Sequence, residues 1–247
     1  MKPDARPEFL PACYDFASMP MPAADCGRFQ PASDQSLLVY FGQHITPEAH
    51  QRVMRLMRLL EPIAGIRNLH PAYCSLLIQF DALKLSHDDL KAMLRPYLDR
   101  LQDVPLPEPR QMEIPVCYGG EHGPDLNEVA AMHGMRPAQV IELHASATYE
   151  VYFLGFVPGF AYLGELPAAL ATPRLATPRR RVPLGSVGIA GRQTGVYPFA
   201  TPGGWRLLGR TPIQMFQPNR GLSLLSIGDH VRFTPISQER FTALEKA

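Results

Sequence analysis

RRRVPLGSVGIAGRQTGVYP, Arg179 to Pro198, is the stretch that decides the fold. It sets Gly185, Gly188, Gly191 and Gly195, with Pro183 and Pro198, between apolar runs only a few residues long. Glycine admits backbone at positive φ and close approach of other groups. Short apolar runs punctuated in this way read as short strands joined by tight turns. Two neighbouring blocks have the same character, GFVPGFAYL (155–163) and PGGWRLLGRTP (202–212). Strands are expected at 149–156, 186–190, 213–216, 222–227 and 230–234, and so many short strands in succession argue for a β-barrel or sandwich.

Working toward the N-terminus, Glu113 to Tyr118 reads as the first strand of this β-rich region. Asp125 with Glu128 forms an expected capping pair for a short helix ended by Gly134, and Pro137 starts another through Val140 and His144. QDVPLPEPRQ (102–111) holds three prolines and reads as an extended linker. Before it, SLLVYF (36–41) and CSLLIQF (74–80) read as strands. Each is followed by a helix. Thr46 and Pro47 start the first, with Val53, Leu56, Met57 and Leu60 on one face; Ser86 starts the second, with Leu90, Met93, Leu94, Tyr97, Leu98 and Leu101. Residues 1–33 carry six prolines without a period and read as an irregular extension. The expected architecture is thus an α+β domain at 34–101, a linker at 102–111 and a mainly β barrel domain at 112–240.

Composition bounds the function. Of 247 residues, 46% are hydrophobic and 19% charged, with a formal net charge of +1. That is a globular profile with no global field toward nucleic acid or anionic membrane. No stretch approaches the roughly 18 apolar residues of a membrane span, and no signal-peptide core follows the N-terminus, so a cytoplasmic location is expected. Cys13, Cys26, Cys74 and Cys117 stand singly and suggest free thiols rather than zinc or redox pairs. Lysines occur only at 2, 84, 91 and 246, which leaves 92–245 without a P-loop or a Schiff-base lysine. Neither a metal nor an organic cofactor is expected in this chain. Any phosphate or carboxylate must be met by arginine or backbone amides.

The glycine-rich blocks also carry side chains suited to anion recognition: Arg181, Arg192, Gln193, Thr194, Tyr197, Arg206, Arg210 and Thr211. They read as a groove for a substrate or partner, against the plainer alternative of tight barrel corners. Leu184 stands where a GxSxG elbow needs its first glycine, so Ser186 reads as a turn serine rather than a nucleophile. The glycines at 185, 188 and 191 do not make GxGxxG, and no HExxH occurs. His144 is either a core histidine or a general acid–base. His133 sits at a helix end, Trp205 could pack on a ligand, and Gly228-Asp229 reads as a turn without chemistry.

GFVPGFAYL, PR-RRVPLGSVGIAGRQTGVYP, PGGWRLLGRTP and the closing IGDHVRF, in this order, closely resemble the KipI / allophanate-hydrolase-subunit-1 family. SLLVYFG and PAYCSLLIQFD resemble its smaller domain more loosely. Ser33-Asp34 stands where members often show Gly-Asp, and Ala161 where proline is common. The resemblance implies a cyclophilin-like barrel behind an α+β domain. It implies partnership with a homologous C subunit and a separate A subunit, in complexes that consume ATP to open 5-oxoproline to glutamate. Under it, Arg181, Arg192 and Arg210 would bind carboxylate or phosphate, with Trp205 and Thr211 beside them. Gln193, Thr194 and Tyr197 would orient the amide, and His144 would be the acid–base. The amides of Gly203 and Gly204 would serve as oxyanion donors. Two other roles known in the family stay open, inhibition of a sensor histidine kinase and a part in urea or allophanate metabolism.

Overall fold

The computed structural model describes residues 28–246. The expected extension up to residue 27, with Cys13 and Cys26, lies outside the described residues.

The first module is an antiparallel sheet of strands β1 (Arg28–Ser33), β2 (Ser36–Tyr40), β3 (Ile66–Pro71) and β4 (Ser75–Phe80), in the order β1-β2-β4-β3. Helices α1 (Pro47–Leu60) and α2 (His87–Leu98) complete it. Thr46 caps α1 by accepting from the Ala49 amide at 3.1 Å. Ser86 and Asp89 form a reciprocal capping box at α2. Leu37, Val39, Val53, Leu56, Leu60, Leu76, Ile78, Leu90 and Leu94 are completely buried in one core. The expected extension at 28–33 is corrected here: these residues pair with β2 from Arg28↔Tyr40 to Ser33↔Ser36. An edge strand tolerates Pro31, which hides it from a reading that takes proline as a strand breaker. Strand β3 was also unexpected. Its IRNLHP sequence is only partly buried, so it carries no clean alternation.

Residues 101–103 form a 3-10 turn, and the chain then runs extended until β5 (Gln111–Tyr118). Gln111, placed in the linker by its sequence, already pairs with His230. A closed barrel follows, in the strand order β10-β7-β6-β15-β5-β12-β9. Its members besides β5 are β6 (Tyr149–Leu154), β7 (Ala161–Gly164), β9 (Ser186–Ala190), β10 (Gln193–Val196), β12 (Arg206–Arg210) and β15 (His230–Pro235). Strands β9 and β10 pair directly and close the ring. The first and last strands lie parallel and in register, from His230↔Gln111 to Pro235↔Val116. Val116, Val140, Tyr149, Val151, Leu163, Val187, Ile189 and Val231 fill the interior. Closure leaves no free edge in the ring.

Two ribbons stand outside the ring, β8 (Arg179–Val182) with β11 (Thr201–Gly203) and β13 (Phe216–Gln217) with β14 (Leu222–Ser223). The strands expected at 213–216 and 222–227 shrink to that second ribbon. Strand β6 ends at Leu154 rather than 156, because Phe156 turns the chain at φ 66°. Helices α3 (Leu126–Met132), α4 (Pro137–Ser146) and α5 (Gln238–Glu245) cover the barrel. Among the described residues no helix is long and apolar enough to cross a membrane. The expected succession, an α+β module followed by a mainly β barrel, is the one observed.

Candidate functional site

The residues singled out by sequence fall into four places. The first is the barrel interior. His144, on α4, is 0% exposed. Its Nδ1 lies 2.7 Å from the Tyr118 hydroxyl and its Nε2 lies 2.9 Å from Thr194 Oγ1. Thr194 in turn donates to the Gly188 carbonyl at 3.1 Å. The single threonine hydrogen is thereby spent, so His144 Nε2 must donate to Thr194 and Nδ1 must accept from Tyr118. Every group in the chain is satisfied with a neutral imidazole. Burial pushes the His144 pKa down to about 3. The structure thus places the expected acid–base His144, with Thr194, among fully buried core groups whose polar atoms are bonded to one another, to Tyr118 and to the Gly188 carbonyl.

The second place is an aromatic cluster outside the ring. Tyr197 is 2% and Trp205 5% exposed, and Phe160 contacts both edge-to-face, with ring centroids at 5.3 and 5.5 Å. These two rings fill a core and do not offer a ligand face, contrary to the expectation from sequence. Gly203 is required here because a Cβ would stand 2.5 Å from the Tyr197 hydroxyl. Gly203 pairs with Arg179 across the β11–β8 ribbon, and the Gly204 carbonyl accepts from the Leu175 amide at 2.8 Å. Gly203 thus lies in a β ribbon, and Gly204 is engaged through its carbonyl rather than through the amide expected as an oxyanion donor. Thr211 is likewise buried, its hydroxyl accepting from the Ile213 amide at 3.2 Å.

The third place is a cleft of about 570 Å³ between β8, β12 and α5. It gathers Arg181 and Arg210 from two separate sequence blocks, together with Arg179, Ser186, His122 and Gln238. Strand period explains the selection: Arg179 and Arg181 share a face of β8, while Arg180 lies opposite. Arg179 is engaged, giving Nη2 to Asp125 Oδ1 at 2.6 Å. The other oxygen of Asp125 accepts from the Leu207 amide at 2.7 Å. Asp125 therefore does not cap α3 with its side chain, as its spacing to Glu128 suggested; no such bond forms. Arg210 gives Nε to the Leu184 carbonyl at 2.7 Å, lies over the Phe241 ring and stands 3.4 Å from Glu245. The Arg181 guanidinium has no hydrogen bond or ion pair among the described residues.

The fourth place is the seam between the first module and the barrel. Gln193 bonds the Tyr73 hydroxyl, and Arg192 pairs with Glu165. Adjacent strand residues face opposite ways, which is why Gln193 reaches the seam while Thr194 points into the barrel. His50, fully buried on α1, crosses the same seam to Glu150 Oε1 and to the Tyr152 carbonyl, each at 2.8 Å. Tyr73 packs on Tyr152 and Phe153 at 5.1 and 4.9 Å. Beside these contacts runs a groove of about 1150 Å³, lined among others by Glu48, Arg55, Arg110, Glu150, Glu165 and Asp229. Asp229, read as a plain turn residue, is buried and grips Arg110 at 2.5 Å. Burial raises the Tyr152 pKa to about 12, so its phenol stays protonated.

Sequence reasoning grouped Arg181, Arg192 and Arg210 as one anion-binding set, whereas the structure puts Arg181 and Arg210 at the cleft and Arg192, beside Gln193, at the seam. It missed His122, Asp125 as a buried acceptor, His50 and Tyr73. Nothing local marks these four, since their partners lie far along the chain. Among the described residues no group of histidine, cysteine, aspartate or glutamate is arranged to hold a metal ion.

Comparison with known proteins places this geometry in a family. Residues 27–225 match the family model "Carboxyltransferase domain, subdomain C and D", which spans both modules. The Bacillus subtilis (strain 168) protein named as the B subunit of 5-oxoprolinase is 39% identical, over 86% of this chain and 94% of its own. The protein of that name from Escherichia coli O157:H7 is 48% identical, over 75% of this chain and 82% of its own. Among solved structures, TTHA0988 is 39% identical with a TM-score of 0.71; the match covers 83% of this chain but only 40% of that one. The Kluyveromyces lactis urea carboxylase, at 20% identity, shares the fold alone, with a TM-score of 0.73 over 92% of this chain and 23% of its own. The chain belongs to the family of 5-oxoprolinase B subunits, proteins of the carboxyltransferase C and D subdomain type.

Proposed function

We propose that this chain is the B subunit of an ATP-dependent 5-oxoprolinase, opening 5-oxoproline to L-glutamate together with a homologous C subunit and a separate A subunit. The observation that carries the reading is identity to a protein named as a 5-oxoprolinase B subunit over 94% of that protein's length. TTHA0988 supports the need for partners, because the region like this chain makes up only 40% of it. The complex would work in the cytoplasm, where ATP is at hand.

A lactam is a poor electrophile. Attack of its oxygen on the γ-phosphorus of ATP would release ADP and leave the amide oxygen phosphorylated, which makes the amide carbon electrophilic. Addition of water and expulsion of the ring nitrogen would give an acyl phosphate, which a second water hydrolyses to glutamate and phosphate. In this scheme Arg181 and Arg210 hold an anionic group in the cleft under α5, as planar forks. Arg192 and Gln193 act at the seam, where a partner protein or substrate amide would meet them. The two buried groups, His144 and Thr194, take no part in the chemistry.

The test is glutamate release from 5-oxoproline and ATP by this chain with its two partners, each omitted in turn. Activity is expected only with all three. A complete, associated complex that releases no glutamate would end the reading.

A further inference from the structure

We propose that the cleft under α5 is a phosphate site for a small phosphorylated molecule, with Arg181, Arg210 and His122 as its donors. The inference rests on the reading of the chain as part of an ATP-consuming complex, and adds to it a ligand class and a residue.

Three observations converge. The Arg181 guanidinium lines the cleft without a partner among the described residues. The Arg210 guanidinium is anchored through Nε, which donates to the Leu184 carbonyl at 2.7 Å, while its Nη2 meets only Glu245, 3.4 Å away and 49% exposed. His122 also lines the cleft, is 8% exposed, and its Nε2 has no hydrogen-bond partner. The nearest carboxylate oxygen, on Glu121, is 3.8 Å away, beyond hydrogen-bond reach. The imidazole is held in place by the Phe241 ring at 4.3 Å. A buried ring nitrogen left unpaired is unfavourable unless a ligand completes it.

The chemistry selects the ligand. A carboxylate has two coplanar oxygens, and one arginine fork satisfies both. Here the donors come from β8, from β12 and from the turn between β5 and α3, so they approach from different directions. That suits the three terminal oxygens of a phosphoryl group. Arg179 is excluded because Asp125 already neutralises it. The acidic side chains at the rim, Glu121 and Glu245, compete with any anion for these donors, phosphate included.

Isothermal titration of the purified full chain with pyrophosphate, inorganic phosphate, ATP and succinate tests this. Pyrophosphate is expected to bind and succinate, of comparable size, to bind at least tenfold more weakly. Arg181→Ala should weaken pyrophosphate at least tenfold. His122→Phe, which keeps the stacking on Phe241, should weaken it several-fold, and Glu245→Gln should strengthen it. Arg180→Ala, on the opposite face of β8, should change nothing. ATP binding more tightly than pyrophosphate would identify a nucleotide as the source, and equal affinities would identify the phosphoryl group alone. No binding, equal binding of succinate, or wild-type affinity in both Arg181→Ala and Glu245→Gln would overturn the proposal. A complex that makes glutamate while this chain ignores pyrophosphate would sink the phosphate site and leave the proposed oxoprolinase role intact. Arginine-dependent pyrophosphate binding by a chain whose complex ignores 5-oxoproline would do the reverse.

Discussion

Acid should unfold this protein through His144, and the size of the effect follows from the hydrogen-bond chain that buries it. In the folded state the imidazole stays neutral to about pH 3. In the unfolded chain it titrates near its ordinary value of about 6.5. Between those values the unfolded state binds a proton that the native state refuses, so stability rises with pH and is lost as pH falls below about 6.5. At about pH 4.5 the loss from this one group amounts to roughly 3 kcal/mol, and at about pH 7.5 it is negligible. The assay is urea denaturation at both pH values for the wild type and for His144→Phe. The variant is less stable at neutral pH, because the Tyr118 hydroxyl loses its acceptor. Its stability should nevertheless fall less on acidification, by roughly that 3 kcal/mol. Equal acid losses in the two proteins would refute the reasoning, as would an NMR titration of His144 near pH 6.5. The latter result would return the residue to the list of acid–base candidates.

Two further predictions address the barrel's polar joints. Asp125→Ala strands the Arg179 guanidinium and the Leu207 amide together, and should cost about 3–5 kcal/mol in denaturant titrations; a loss of only about 1 kcal/mol would mean that the pair behaves as a solvent-screened surface ion pair. Gly203→Ala drives a methyl onto the Tyr197 hydroxyl and should cost about 1–3 kcal/mol. Gly204→Ala meets nothing closer than 3.6 Å and should leave the melting temperature close to wild type. Equal losses at the two positions would show that the packing around Tyr197 has been misjudged.

What the sequence discloses here is local chemistry, and what it conceals is facing. The helix starts at Thr46 and Ser86 are legible because a cap acts within three residues. So is β9, an apolar run buried at every position, between glycines that mark its turns. The glycine-rich blocks correctly announce a closely packed β structure. They cannot announce which of their polar residues face outward, since glycine erases the alternation that would show it. Gln193 and Thr194 illustrate the difficulty. They are neighbours in sequence and equally suited to a binding site, yet one reaches across the seam and the other ends in the barrel interior. The cleft under α5 was half legible. Arg181 and Arg210 declared themselves by residue type, whereas His122 becomes meaningful only when Phe241, more than a hundred residues later, packs against its ring.

The in-register parallel pairing of the first and last barrel strands has a kinetic meaning. Gln111 meets His230 across 119 positions of chain, so the ring cannot close until nearly all of its sequence exists. Closing a loop of that length carries an entropic cost of about 4 kcal/mol that scales with the logarithm of its length. The first module gathers its core from residues 37–101 alone and has no such delay. During synthesis it would therefore be ordered while the barrel is still an open, sticky sheet with β5 unpartnered on the side that β15 will occupy. The sheet would remain exposed until the last strand arrives, which makes the interval before β15 emerges the vulnerable moment in this protein's life.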